Sequence, residues 1–184
     1  MYQVLETTEI AGNVFRQRIL APRIARKRKA GQFLVLRCGE DGERIPLTIV
    51  GSDPAEGSVT VIFQAVGKST SVFSRLRAGD AYTDVVGPLG RPTHIEKFGT
   101  VVGIGGGIGA APLLPIAAAV KEAGNRQVTI LGARTKDLLI LEDELRAVSD
   151  AMVVTTDDGS YAAKGFVTTA LQEMIDRGEK IDLC

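Results

Sequence analysis

The run VVGIGGGIGAAPLLPIAAAV, residues 101–120, constrains the fold more than any other stretch of the chain. An apolar, β-branched segment ends at Ile104. Glycines stand at 105, 106, 107 and 109, and an alanine-rich segment of helical pattern begins at Gly109. A strand, a glycine turn and a helix in that order open a βαβ unit. The alternation continues with strand Gln127–Leu131, helix Asp137–Val148, strand Ala151–Thr155 and helix Gly165–Arg177. This half therefore reads as a parallel sheet with helices. Gly105, Gly107 and Ala110 fit the pattern G-x-G-x-x-A, and Gly106 and Gly109 complete the loop. Glycines there let the backbone approach a diphosphate and aim N–H groups at it. The alternative is a tight turn that only packs helix on strand. An acidic residue usually ends the second strand and holds a ribose. This strand ends in LGART instead, with Arg134, which suits an adenosine phosphate or a solvated surface.

Residues 1–96 follow a different grammar. Short strand-like runs cover Tyr2–Ile10, Asn13–Leu20, Gln32–Arg37, Arg44–Val50, Ser58–Ala65 and Ala81–Val86, with Gly, Asp and Pro turn signals between them. Regular short strands with such punctuation predict an antiparallel sandwich or barrel, taken as a six-stranded barrel. The boundary falls near Pro92–Gly99, giving domains 1–96 and 97–184. Lys180–Cys184 reads as the start of a further strand, so the α/β domain is expected to be incomplete at its C-terminus.

Within the first domain, VGKST at Val66–Thr70 has the tail of a nucleotide-triphosphate P-loop. That pattern needs a glycine five positions before Gly67, where Ile62 stands, and a β-branched residue does not make the required turn. A strand running into Gly67, Lys68, Ser69 and Thr70, followed by a short helix-like stretch, still suits a phosphate or diphosphate. The rest of the chemistry-bearing inventory is thin. Balanced charge, 22 basic against 22 acidic residues, argues against binding nucleic acid by bulk charge. The basic run Arg23–Lys29 carries no interleaved aromatics and reads as a solvated loop. A single histidine, His94, and two distant cysteines, Cys38 and Cys184, leave little material for a metal site or a His-based triad. No apolar run is long enough for a membrane helix, and residues 1–10 lack the pattern of a signal peptide. Both thiols are therefore expected to be free, in a reducing cytoplasm. Thr155–Ser160, TTDDGS, ends the third parallel strand, where open α/β sheets bind ligands, so Asp157, Asp158 and Gly159 are candidates beside the glycine loop. A capped turn is the plainer reading.

The glycine loop also reads as Gly106-Gly107-x-Gly109-x-x-Pro112. With the preceding barrel it resembles the ferredoxin–NADP reductase superfamily, in which a flavin-binding barrel precedes a nicotinamide-binding α/β domain. Arg44-Ile45-Pro46-Leu47-Thr48 matches that family's Arg-x-x-x-Ser/Thr flavin signature. The resemblance implies that Arg44 holds flavin phosphate, that Thr48 bonds near flavin N5, and that Pro46 and Leu47 lie at the flavin. Leu47 stands where commoner members stack a tyrosine. Gly67–Thr70 matches the second flavin segment, and Gly87-Pro88-Leu89-Gly90 the turn that closes the barrel. The wording RIPLTIV, VGKSTSVF, GGGIGAAP, GARTKDLLILEDEL and TTDDGSYAAKGFVT is most similar to the small subunit of NADH-dependent ferredoxin–NADP reductases, also described as sulfide dehydrogenase subunits. The electron-transfer subunit of dihydroorotate dehydrogenase is a near relative. The implied cofactors are FAD and NAD(P)H. The implied partners are a larger glutamate-synthase-like or other oxidoreductase subunit and ferredoxin or another iron–sulfur acceptor. Both families carry a four-cysteine [2Fe–2S] centre. With two cysteines, this chain is expected to lack it, and a longer form to hold it. A dihydroorotate dehydrogenase subunit, a non-catalytic flavin or nucleotide module and a pure interaction subunit remain as other readings.

Overall fold

The computed structural model describes residues Met1–Cys184, which divide into two compact units, Met1–Thr93 and His94–Cys184. The first unit is a seven-stranded antiparallel sheet. Its strands are β1 (Tyr2–Ala11), β2 (Val14–Leu20), β3 (Phe33–Arg37), β4 (Ile45–Asp53), β5 (Ser58–Gln64), β6 (Ala81–Tyr82) and β7 (Asp84–Leu89), in the order β6-β1-β2-β5-β4-β3-β7. The two edge strands, β6 and β7, are separated in the chain only by Thr83. The sheet must therefore curl until its edges meet, which leaves little unpaired edge exposed. The run Ala81–Val86 supplies both edges, so six expected runs become seven strands. Gly87–Leu89 belongs to β7, where Leu89 pairs with Phe33, rather than to a closing turn.

Period-two alternation fills the interior. Leu34 and Leu36 of β3, Val59, Val61 and Phe63 of β5, and Ile19 and Ile49 all point into one core. Two short helices sit on the connections, α1 (Pro22–Ala25) and α2 (Lys68–Phe73). Phe73 anchors α2 by edge-on contacts with Phe63 and Tyr82, at centroid distances of 6.1 and 5.0 Å. Gln17, fully buried on β2, donates to the Phe73 carbonyl at 2.7 Å and accepts from the Tyr82 hydroxyl at 2.5 Å. Burial pushes the Tyr82 phenol up, so it stays a donor.

The second unit is a parallel sheet of β8 (Thr100–Gly106), β9 (Arg126–Ala133), β10 (Ala151–Thr156) and the short β11 (Ala163–Lys164), ordered β11-β10-β9-β8. Leu183 makes one parallel bridge to Val101 on the far side of β8. The Lys180–Cys184 segment thus lies where a further strand was expected. Helix α3 (Ala110–Glu122) follows β8, α4 (Glu142–Ala147) follows β9 and α5 (Val167–Asp176) follows β11. Val102 and Ile104 of β8 and Val128 and Ile130 of β9 share a core with Ala170 and Met174 of α5. The intervening residues face the other way: a Cβ on Gly103 would meet Leu113 of α3. Helices consequently cover both faces, as a parallel sheet requires.

The expected helix Asp137–Val148 is broken. A single 3-10 turn spans Lys136–Leu138, and Leu141 takes a left-handed φ of 61° before α4 starts. Four consecutive apolar residues, 138–141, cannot share one helical face. The break buries both Ile140 and Leu141.

Candidate functional site

In the barrel unit, Arg44 precedes β4 and Lys68 opens α2. These segments are 24 residues apart in sequence, and a hydrogen bond of 2.6 Å from the Ser69 hydroxyl to the Glu43 carboxylate joins them. Both cations are exposed. Arg44 makes one long contact, 3.4 Å, to Asp84. Asp84 belongs chiefly to Arg37, whose Nε lies 2.6 Å away and holds the carboxyl below its usual range. Gly67 faces open space on the side where a Cβ would stand. The hydroxyls have other work. Thr70 Oγ1 accepts from the N–H groups of Val66 and Gly67, at 3.2 and 3.1 Å, and so caps the start of α2. An anion at this place would meet Lys68, Arg44 and backbone N–H groups, with Ser69 and Thr70 as supports. Two cations beside a glycine fit a diphosphate.

Register decides which way the β4 residues point. Leu47 pairs with Leu34 and Ile45 with Leu36, and both pack on the barrel core. Leu47 is therefore an inward residue, not one presented to a ligand outside. Pro46 and Thr48, paired with Val35 and Phe33, share the outer face. A cleft of about 460 Å³ lies between the Cys38–Glu43 loop and Lys68, Ser69, Val72 and Phe73 of α2.

In the α/β unit, three candidate segments meet at one sheet edge. Parallel register pairs Gly106 with Gly132 and Ala133 with Thr156, so the Gly105–Ala110 loop, Arg134 and Asp157–Gly159 all leave the carboxyl ends of adjacent strands. The glycines differ in role. Gly105 is buried, and a Cβ on it would stand 3.1 Å from both the Ala110 Cα and Leu113 Cδ2. This glycine brings α3 tight onto β8. Gly107 has φ +52°, and Gly106, Gly107 and Gly109 face open space. An open glycine turn leading into a 13-residue helix fits a dinucleotide diphosphate.

Arg134 is exposed, and its carbonyl accepts from the Asp158 N–H at 3.3 Å. The Asp158 carboxylate accepts from the Ser160 N–H at 2.9 Å, which holds its pKa down, and Gly159 takes φ +77°. Asp158 and Gly159 thus build the turn, while Asp157 is exposed at its head. Other supports carry no sequence motif. Asn125 accepts from the N–H groups of Phe98 and Gly99 and donates to the carbonyls of Glu96 and Val120, fixing the entry to β8. Asp150 receives the Gln127 N–H and the Lys121 ammonium at 2.9 and 2.6 Å. Asn and Asp before strands are common turn residues, so nothing in their spacing marks these roles.

No protein-family model matches the chain. It is 47% identical over 182 residues to a homolog of the electron transfer subunit of dihydroorotate dehydrogenase B (NAD(+)) from Thermotoga maritima, covering 99% of this chain and 64% of that protein. It is 36% identical over 187 residues to that electron transfer subunit from Streptococcus pneumoniae, covering 99% of this chain and 72% of the relative. Among solved structures, a chain of the NADH-dependent reduced ferredoxin–NADP oxidoreductase matches with a TM-score of 0.90 and 46% identity, over 95% of this chain and 63% of that one. A ferredoxin–NADP+ reductase from Neisseria gonorrhoeae, at 18% identity and a TM-score of 0.72, shares the fold. The chain thus spans just under two thirds of the length of the Thermotoga relative and of the solved oxidoreductase chain. No helix is long and apolar enough to cross a membrane. A barrel followed by a glycine-turn α/β unit, together with these identities, establishes that the chain belongs to the family of dihydroorotate dehydrogenase B electron transfer subunits, within the ferredoxin reductase-like flavoproteins.

Proposed function

We propose that this chain is the flavin- and nicotinamide-binding part of an electron-transfer oxidoreductase, taking reducing equivalents from NAD(P)H and delivering electrons to an iron–sulfur acceptor. The observation that carries the reading is the meeting of the glycine loop, Arg134 and Asp157 at the carboxyl edge of one parallel sheet. The barrel unit serves the flavin. Arg44 and Lys68 neutralise the diphosphate of FAD, Gly67 admits it closely, and the Thr48 hydroxyl on the outer face donates or accepts at the ring edge. A flavin held there converts a two-electron hydride donor into a source of single electrons. Gly106, Gly107 and Gly109 present N–H groups to the nicotinamide dinucleotide. Arg134 attracts an adenosine phosphate, and the turn Asp157–Gly159 lies near the nicotinamide. The NAD(+)-named relatives lean the reading to NADH, while Arg134 leaves NADPH open. Hydride transfer requires no protein acid or base, so these residues bind and orient.

The family membership supports a heterodimer with a larger oxidoreductase subunit, either glutamate-synthase-like or dihydroorotate-oxidising. The Thermotoga and Streptococcus relatives, by their names, favour the second. Copurification from the native source separates them. The test of the flavin reading is a visible spectrum of the purified protein and chromatography of any released flavin. Bound FAD, reduced faster by NADH than by NADPH, is the expected result. Colourless protein that takes up no added FAD overturns it.

A further inference from the structure

We propose that Tyr161 is a positioning residue that braces the Asp157–Gly159 turn against the chain leaving β9, so that the turn meets the nicotinamide end of a dinucleotide already in shape. The inference rests on the nucleotide reading above, and it adds a residue outside the ligand-contacting set. Arg134 and Asp157 are exposed at the heads of adjacent segments, and their side chains make no hydrogen bond or ion pair. Such side chains are placed only by the backbone that carries them. Arg134 follows directly on Ala133, which pairs with Thr156 inside the sheet, and needs no further support. The turn has left the sheet, so its placing depends on what grips it from outside.

The grip comes in two layers. The inner one closes the neck of the turn. The buried Thr156 hydroxyl donates to the Tyr161 carbonyl at 2.7 Å and accepts from the Tyr161 N–H at 3.1 Å. The outer layer ties the turn to the segment after β9. The Lys136 N–H donates to Ser160 Oγ at 2.9 Å, and the Lys136 ammonium lies 5.1 Å from the centroid of the Tyr161 ring, whose negative face attracts it. The Tyr161 hydroxyl reaches the Glu142 carboxylate at 3.3 Å, and Glu142 is itself held by Arg146 at 2.7 Å, one turn along α4. One side chain thus touches both ends of the connection, the 3-10 turn at Lys136 and the start of α4 at Glu142. The hydroxyl contact is long, so the ring over Lys136 is the main brace. Without the ring, Thr156 still closes the neck, and the head of the turn loses its outer hold. A turn held in its bound shape gives up little entropy when ligand arrives.

The test compares NADH with ADP-ribose, which has the adenosine and the diphosphate but no nicotinamide. Affinities for both are measured by calorimetry on wild type, Tyr161→Ala, Tyr161→Phe and Ser160→Ala, with thermal melts as the check on folding. The expected result is that Tyr161→Ala weakens NADH at least about fivefold and leaves ADP-ribose within about twofold. Tyr161→Phe keeps the ring over Lys136 and should return NADH to within about twofold of wild type. Ser160→Ala, at an exposed position, should move NADH in the same direction as Tyr161→Ala and by less. Amide hydrogen exchange of residues 157–160 in the ligand-free protein should quicken in Tyr161→Ala. Unchanged NADH affinity in a folded Tyr161→Ala protein overturns the proposal. So does an equal loss of NADH and ADP-ribose, which is what a general loosening of the sheet edge produces. A Tyr161→Phe protein as weak as Tyr161→Ala overturns it too, because the ring is then not the brace. Failure of the nucleotide reading looks different: wild type then binds neither NADH nor ADP-ribose, and the brace falls with it.

Discussion

At the scale of single residues, the two kinds of glycine in the dinucleotide loop give the sharpest test. Gly105 has a neighbour at 3.1 Å on the side of a missing Cβ, whereas Gly106 has open space and an ordinary extended backbone, φ −113°. Gly105→Ala should cost about 1–3 kcal/mol by overpacking the contact of β8 with α3. Gly106→Ala should stay within about 0.5 kcal/mol, as exposed substitutions do. Urea unfolding of both variants checks this, and equal stability would contradict the assigned roles. A second residue-scale test concerns Tyr82. Tyr82→Phe leaves the Gln17 carbonyl oxygen buried without its donor and should cost about 1–3 kcal/mol. The glycine loop was legible in the sequence because a local turn needs local glycines. The Gln17–Tyr82–Phe73 knot was not, because its members are brought together only by the closed barrel. The orientation of Leu47 was illegible for a related reason. A one-residue change of register reverses inside and outside, and register is set by the partner strand.

Among the elements, strand runs were the readable part, since alternation and turn residues are local signals. The split of Ala81–Val86 into β6 and β7 and the break between Lys136 and Glu142 arise from closure and burial, which no local pattern records. The break offers a prediction against ordinary propensity. Leu141 is buried with φ +61°, a conformation that costs a non-glycine residue roughly 1–2 kcal/mol. Leu141→Ala and Leu141→Gly lose the same packing, but only glycine relieves the backbone. Leu141→Gly should therefore be the more stable of the two, by about 1 kcal/mol, the reverse of their order inside a helix. Thermal melts of the pair decide it. The start of β9 carries a pH signature. The Lys121 ammonium, and then the Gln127 N–H, hold the Asp150 carboxyl below its ordinary value of 3.8. The folded form thus binds its proton less readily than the unfolded chain. The stability gained is present at neutral pH and is lost as pH falls below about 4. Asp150→Asn should be less stable than wild type at pH 7 and should converge towards it near pH 3 in urea titrations.

For the whole molecule, the sequence divides its proposed chemistry between two units whose cores share no residue. One core runs from Val4 to Val85 and the other from Val102 to Met174. The flavin candidates Arg44, Thr48 and Lys68 stand on the first unit, and the nucleotide candidates Gly105–Ala110, Arg134 and Asp157 on the second. Changes at sites with no shared partners have additive effects. The two binding steps should therefore be separable by single substitutions. Arg44→Ala removes a charge from the flavin diphosphate, and its expected effect is a loss of at least tenfold in FAD affinity, about 1.4 kcal/mol. NADH affinity should remain within twofold, because Arg44 belongs to the barrel unit and pairs with Asp84 of the same unit. Asp157→Ala should do the opposite. It should lower NADH affinity several-fold, while the flavin spectrum stays that of wild type. Titration of both ligands against both variants completes the test. If Arg44→Ala weakens both ligands equally, flavin and nucleotide do not occupy separate units, and the division of labour proposed for this chain fails.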